Sequence, residues 1–196
     1  LGDVYKRQGA NGQLGRSAPR IEAPTGAEAS GLVPSDPSRA RFESGAIVVE
    51  APEFSGLDVL PEQLILLTAA DLTDFSLTLD YRVLSESARP SVVFGFGEGD
   101  YDHMVLQPSP VVIRSPERRG AGGIDCGAVS LPDLAAVGPH RIRLTRSGGG
   151  RRVALDLGAD GTEELSCDTP IPRSGAIALG VVKGRVAFDG VRLRIR

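Results

Sequence analysis

The chain has 196 residues, of which 41% are hydrophobic and 24% charged, so a single domain with a full core is expected. Its net charge of −3 provides no concentrated basic field, which argues against a nucleic-acid partner. No run approaches the roughly 18 apolar residues that a membrane-spanning helix needs, so no such segment is expected.

The first residues do not resemble the start of a folded domain. Residues 1–8 (LGDVYKRQ) look like translated sequencing-adapter sequence, so they are excluded from fold reasoning and the native N-terminus is expected to be missing. Residues 9–41 are rich in Gly, Ala, Ser and Pro and have no apolar period, which predicts a disordered arm or linker. We therefore expect residues 1–41 to lie outside the folded domain, which spans residues 42–196.

Short strand-like segments follow from residue 42 to the end of the chain. The clearest is 75–82, where Phe75, Leu77, Leu79 and Tyr81 alternate with polar residues. One stretch, 130–137, has mild helical spacing and predicts a short turn. About ten strands are predicted, at 46–51, 64–69, 75–82, 91–96, 101–107, 111–114, 141–145, 153–157, 177–182 and 191–195.

The strand pattern predicts an all-β fold. The chain has 25 Gly and 14 Pro, and turn signals recur every 8–12 residues or so, which is typical of a two-sheet antiparallel β-sandwich or jelly roll. The residues expected in the core are those on the apolar faces of alternating strands: Phe75, Leu77, Leu79, Phe94, Phe188 and Leu193.

Three segments carry a resemblance to the concanavalin A-like lectin/glucanase superfamily, in its laminin-G-like and family 16 glycoside hydrolase-like forms. They are DFSLTLDYR at 74–82, VFGFGEGDYDHMVL at 93–106, and the closing pair GAIALG at 175–180 and VAFDGVRL at 186–193. The chain departs from the family in lacking Trp altogether, where a Trp is usual ahead of His140. The order and spacing of the segments are more specific for the fold than for an activity.

The resemblance implies a non-catalytic carbohydrate-binding or interaction module of a bacterial secreted or surface protein, with an extracytoplasmic location and a glycan as partner. Two alternatives stay open. One is a glycoside hydrolase-like enzyme, either family 16-like or 3-keto-disaccharide hydrolase-like, and the other is a structural sandwich without a ligand. An enzyme needs converging carboxylates in a cleft, and the resemblance supplies no complete catalytic triplet.

One run of carboxylates has spacing of catalytic interest. Glu98, Asp100 and Asp102 alternate, and on a strand they would share one face. The run begins in a Gly-Glu-Gly turn, which favours a solvated hairpin, so we expect no catalytic residue here. If a sugar binds, Arg82, Tyr101 and His103 are expected to contact it through hydrogen bonds and one aromatic face.

Two acidic positions invite comparison with calcium sites. Asp189 occupies the family's Phe-Asp position, where a carboxylate can help to hold structural calcium, although calcium takes six to eight oxygens. The side chain could instead bond a neighbouring turn. Segment 156–161 (DLGADG) fails the EF-hand pattern because position three is Gly and Cys167 stands at position twelve, so a hairpin loop is predicted.

Arginines and cysteines complete the candidate residues. Arg141, Arg143, Arg192 and Arg194 lie on the polar faces of two strands and would form a patch for sulfate or carboxylate groups if both strands share a sheet. The alternative is a solvated outer face whose edge charges deter aggregation. Cys126 and Cys167 have no metal-ligand spacing, and a disulfide and two free thiols both stay open.

Overall fold

A computed structural model of the chain describes residues 33–34, 36–52, 63–97, 100–106, 111–114, 125–129, 139–169 and 174–195. These residues form fourteen strands and one 3-10 turn at Pro37–Arg39. The strands are β1 (Val33–Pro34), β2 (Ala40–Glu43), β3 (Ala46–Ala51), β4 (Gln63–Leu72), β5 (Phe75–Val83), β6 (Pro90–Gly97), β7 (Asp100–Val105), β8 (Val111–Arg114), β9 (Asp125–Val129), β10 (Pro139–Ser147), β11 (Arg152–Leu157), β12 (Leu165–Asp168), β13 (Gly175–Val181) and β14 (Gly184–Ile195).

The strands form two antiparallel sheets. Sheet 1 has the order β1-β4-β13-β6-β7-β8-β9, and sheet 2 has the order β12-β11-β10-β5-β14-β3-β2. Some neighbours are joined by hairpins, such as β10 with β11, whereas β5 and β14 pair across a long stretch of chain. This is the two-sheet antiparallel sandwich that the strand pattern predicts, so the predicted fold class is confirmed.

The core lies between the sheets and follows the alternation of the strands. In β5, Phe75, Leu77 and Leu79 are at most 1% exposed, whereas Thr78 and Asp80, on the opposite face, are partly exposed. Successive side chains of a strand point to opposite faces, so β5 has a buried inner face and a partly exposed outer face. The expected core residues are all buried: Phe75, Leu77, Leu79, Phe94, Phe188 and Leu193.

One ion pair crosses the core from sheet to sheet. Arg146 of β10 and Asp102 of β7 are both fully buried, and Nη2 of Arg146 lies 3.6 Å from Oδ2 of Asp102. The Arg146 guanidinium also lies 5.7 Å from the centre of the Phe94 ring. The expected solvated hairpin is therefore wrong at Asp102, because this carboxylate faces the core, where a cation of the opposite sheet compensates its charge.

A disulfide joins the edges of the two sheets. Cys126 lies in β9, the last strand of sheet 1, and Cys167 lies in β12, the first strand of sheet 2. Their Cα atoms are 5.3 Å apart, within the range that a disulfide spans. The two cysteines are therefore bridged, and the cross-link closes a loop between residues 41 positions apart. Such a loop closure typically stabilises a fold by about 2–4 kcal/mol.

The sequence pattern missed several short edge strands. β1 pairs Val33 with Leu66, and β2 begins at Ala40, so strand pairing starts ahead of the expected boundary at residue 42. β9 and β12 were not predicted either, because each has only four or five residues and no sustained alternation. The turn predicted at 130–137 lies outside the described residues.

Candidate functional site

The middle of sheet 2 presents a polar outer face. Its three central strands are β10, β5 and β14, so both arginine-bearing strands flank β5 in one sheet. Cross-strand register sets the outward side chains in rows. One row is Arg143, Thr78 and Arg192, and the next is Arg141, Asp80 and Asp189. The four arginines singled out in the sequence therefore belong to a single surface.

Two adjoining depressions lie on this surface. The arginine depression, with a volume of about 450 Å³, contains Arg143, Arg192, Arg194, Ser76 and Thr78 in its lining. The aspartate depression, with a volume of about 530 Å³, contains Arg82, Asp189, Tyr81, Pro139 and Ala187. Both are also lined by Asp80, Arg141 and Gly158, so the two depressions are continuous. Their volumes lie in the range of small-ligand sites.

A bidentate ion pair divides the two depressions. Arg141 donates from Nε to Oδ1 of Asp80 at 2.7 Å and from Nη2 to Oδ2 at 2.8 Å. Hydrogen bonding to the Asp80 carboxylate, with its negative charge, raises the pKa of Arg141 above its usual value. The Arg141 side chain is 59% exposed, so the pair contributes little to stability, but two parallel hydrogen bonds hold both groups in a fixed orientation.

A bulge in β14 brings backbone close to this pair. The register of β14 on β5 shifts between Asp189 and Arg192, and Gly190 has a φ of +56°. A Cβ at Gly190 would lie 2.7 Å from Oδ2 of Asp80, so a side chain there would displace the carboxylate. The bulge adds one residue to β14 and so turns both Asp189 before it and Arg192 after it toward the outer face.

Hydrogen bonds fix one wall of the arginine depression. Arg143 donates from Nη1 to Oδ2 of Asp156 at 3.1 Å and from Nη2 to the carbonyl of Ala159 at 2.8 Å. The Asp156 carboxylate also accepts from the backbone N–H groups of Asp160 and Gly161, both at 3.0 Å. Segment 156–161 is thus a loop folded on the Asp156 carboxylate, which agrees with the predicted hairpin loop. A backbone hydrogen bond from Thr162 lowers the pKa of Asp160.

The structure does not bring the three expected sugar-contacting residues together. Arg82 lies in β5 of sheet 2 and is exposed, in the aspartate depression. Tyr101 and His103 lie in β7 of sheet 1, where both are 0% exposed and their ring centres are 5.8 Å apart. A sugar bound at Arg82 would therefore not contact Tyr101 or His103, because they belong to the other sheet.

Asp189 is exposed, and its Oδ1 accepts a hydrogen bond from the N–H of Gly190 at 2.6 Å. It thus bonds the adjacent turn of the bulge. The part of the chain that the structure describes contains no group of three or more His, Cys, Asp or Glu side chains placed to hold a metal ion. Asp189 and its cross-strand neighbour Asp80, which is engaged by Arg141, fall short of the oxygens that calcium takes. Calcium binding at Asp189 stays a prediction.

The carboxylate run of catalytic interest is not assembled among the described residues. Asp102 is buried in the core against Arg146, and Glu98 lies outside the described residues. Asp80 and Thr78 belong to the polar surface but were not among the residues that the sequence pattern predicts for it. Both residues occupy polar positions of the alternating pattern in β5, and that is the only signal of their role in the sequence. Their place beside the arginines depends on the pairing of β5 with β10 on one side and β14 on the other.

Comparisons with known proteins bear on the fold. No family model matches the chain, and no curated protein matches it in sequence. Among the described residues, no helix has both the length and the apolar character to cross a membrane.

Several solved structures share the fold. The carbohydrate-binding module CBM66 from Bacillus subtilis is similar with a TM-score of 0.62 at 11% identity, over 79% of this chain and 90% of that one. The Bacillus licheniformis beta-glucanase is similar with a TM-score of 0.58 at 13% identity, over 82% and 84%. A prokaryotic beta-1,3-1,4-glucanase from a mouse hindgut metagenome has a TM-score of 0.53 at 13% identity, over 78% and 84%. The chain therefore has the concanavalin A-like β-sandwich fold that its three sequence segments predict.

Proposed function

We propose that this protein is a non-catalytic carbohydrate-binding module and that the outer face of sheet 2 is its contact surface. One observation carries the proposal. Arg82, Asp189 and the Asp80–Arg141 pair meet in an open depression of about 530 Å³ at the centre of a sheet. The shared fold with the module CBM66 from Bacillus subtilis supports the proposal, because that fold serves sugar binding there.

The chemistry of the aspartate depression suits sugar hydroxyls. A hydroxyl both donates and accepts, so it can bond a carboxylate and a guanidinium at the same time. Asp189 and Asp80 supply acceptors, and Arg82 and Arg141 supply donors, within one depression. Tyr81 is 3% exposed and the chain has no Trp, so recognition here rests on hydrogen bonds rather than on a stacking ring.

The disulfide supports an extracytoplasmic location. Disulfides persist in oxidising compartments and are rare where thiols are kept reduced. The Cys126–Cys167 bond joins two edge strands and so forms part of the fold itself. We therefore propose that the protein works in the periplasm, at the cell surface or outside the cell, as a bacterial module of this fold would.

A glycan array followed by affinity electrophoresis on the positive polysaccharides tests the proposal. We expect Arg82→Ala and Asp189→Ala each to weaken binding at least about fivefold, because each removes a hydrogen bond to the sugar. Arg151→Ala is the matched control, since Arg151 is exposed in the β10–β11 turn outside both depressions. If all three variants retain binding, the site lies elsewhere on the protein. If no glycan on the array binds, the proposal of a carbohydrate-binding module is wrong. Release of sugar from any bound polysaccharide would favour the hydrolase alternative.

A further inference from the structure

We infer that the arginine depression binds the negatively charged groups, carboxylate or sulfate, of an acidic polysaccharide. The inference rests on the proposed function, because it assigns the chemical class of the glycan on the same surface. The aspartate depression would hold uncharged hydroxyl-bearing units, and the arginine depression, continuous with it, would hold the charged ones.

Three arginines lie beside the hydroxyl-bearing Thr78 and Ser76 in the arginine depression. Arg143 and Arg192 flank Thr78 in one row, and Arg194 stands beside Ser76 in the next. Strands lie 4.7–4.9 Å apart, so the Cα atoms of Arg143 and Arg192 are separated by about 10 Å. Arg192 and Arg194 lie two residues apart on β14, so their Cα atoms are separated by about 7 Å. An anionic group above Thr78 can therefore be reached from both sides.

Charge compensation is incomplete in this array. Arg141 is engaged by Asp80 and Arg143 by Asp156, at 2.7 Å and 3.1 Å. Within the described residues, neither Arg192 nor Arg194 has an ion pair or a side-chain hydrogen bond, and both are exposed. The depression therefore has surplus positive charge in a chain whose net charge is −3. Arginine is suited to this role because its fork of N–H donors matches carboxylate and sulfate oxygens.

Protection of a sheet edge does not explain this placement. Charges that deter edge-to-edge aggregation belong on the outermost strands, which in sheet 2 are β12 and β2. The four arginines lie instead on β10 and β14, on either side of the central strand β5. Like charges gathered at a sheet centre repel one another, so a bound anion would relieve a repulsion that the free protein carries.

The surroundings favour an acidic polysaccharide over a nucleic acid. A nucleic-acid backbone carries a charge at every unit, and binding it depends on an extended basic field. Here the positive array adjoins the carboxylates of Asp80 and Asp189, which would repel a continuous polyanion laid across both depressions. A glycan with uncharged hydroxyls beside its acidic groups finds arginine donors for the acidic groups in the arginine depression. Its hydroxyls find both donors and acceptors in the aspartate depression.

Isothermal titration and affinity electrophoresis with two matched polymer pairs test the inference. One pair is partly methyl-esterified pectin, in which charged and uncharged units are mixed, and its fully methyl-esterified form, and the other is lightly sulfated dextran and dextran. We expect the charged member of at least one pair to bind at least about tenfold more tightly, with affinity that falls as salt rises. The double variant Arg192→Gln/Arg194→Gln should lose at least about tenfold of that affinity. The double variant Arg89→Gln/Arg151→Gln removes the same charge outside the depressions and should stay within about twofold.

The outcomes separate the inference from the proposed function. If neutral glycans bind through Arg82 and Asp189 while the charged polymers bind no better, the inference fails and the proposed function stands. If no glycan of either kind binds, both fail. Equal losses in the two double variants would overturn the inference, because net charge alone would then explain binding. Duplex DNA that binds as tightly as the partly esterified pectin, with the same dependence on Arg192 and Arg194, would replace the glycan by a nucleic acid.

Discussion

The outer faces of the two sheets differ in their access to water, although both carry polar residues in alternation. In sheet 2, Asp80 and Arg141 lie in open depressions at the centre of the sheet. In sheet 1, His103 and Tyr101 alternate with core-facing Met104 and yet are fully buried. Period-two alternation assigns residues to two faces, but it does not determine which of those faces contacts solvent.

A polar residue on a strand of this sandwich lies in one of three environments. Arg141 is exposed and paired with Asp80 on the surface. Arg146, five residues along the same strand, is paired with Asp102 inside the core. His103 is polar and lies on the side of its sheet away from the core, but it is buried as well. The candidate site is therefore the surface that remains open, in sheet 2.

The largest expected effect contrasts the buried and the exposed arginines. Arg146→Met should lower the free energy of unfolding by about 3–5 kcal/mol, because the buried Asp102 carboxylate loses the positive charge that faces it in the core. Arg192→Met, on the open surface, should change it by no more than about 0.5 kcal/mol. Chemical denaturation measures both. The double variant Asp102→Leu/Arg146→Met should recover most of the loss, and equal losses in the two single variants would contradict the contrast.

Histidine modification distinguishes the two sheets directly. The chain has two histidines, of which His103 in sheet 1 is buried and His140 in sheet 2 is partly exposed. Diethyl pyrocarbonate should modify one histidine at least about tenfold faster than the other, because the slow reaction needs a local opening. The fast phase, followed at 240 nm or so, should disappear in His140→Gln. Two fast phases of similar rate in the wild-type protein would show that the outer face of sheet 1 is open to solvent.

The smallest expected effect concerns Tyr81, which borders the aspartate depression but packs its side chain in the core. Burial raises the pKa of this phenol above its ordinary value of 10.0. The unfolded chain then loses the Tyr81 proton above about pH 10 while the folded protein keeps it, so stability is present below that pH and falls as pH rises further. Between pH 8 and pH 11 the wild-type protein should lose about 1 kcal/mol more unfolding free energy than Tyr81→Phe. Equal losses of unfolding free energy in the two proteins would mean that Tyr81 ionises as readily in the folded state as in the unfolded chain.

Alternation and turn spacing were enough to predict the fold class and the core. Phe75, Leu77 and Leu79 alternate with polar residues, and burying that apolar stripe requires a second layer, which is a sandwich. Phe188 and Leu193 were assigned to the core for the same reason, although the bulge at Gly190 lies between them. Short edge strands such as β9 and β12 were missed because a few residues carry too little periodic signal.

Tertiary structure alone decided which distant residues meet. Asp80 meets Arg141 because β5 pairs with β10, and Arg192 reaches the same surface because β14 pairs with the other side of β5. Strand order and register depend on contacts between residues far apart in the chain, which local patterns do not encode. The same holds for the Cys126–Cys167 bond and for the burial of Asp102 and His103. Sequence thus determined the two faces of each strand, and packing determined which polar faces remained open to a ligand.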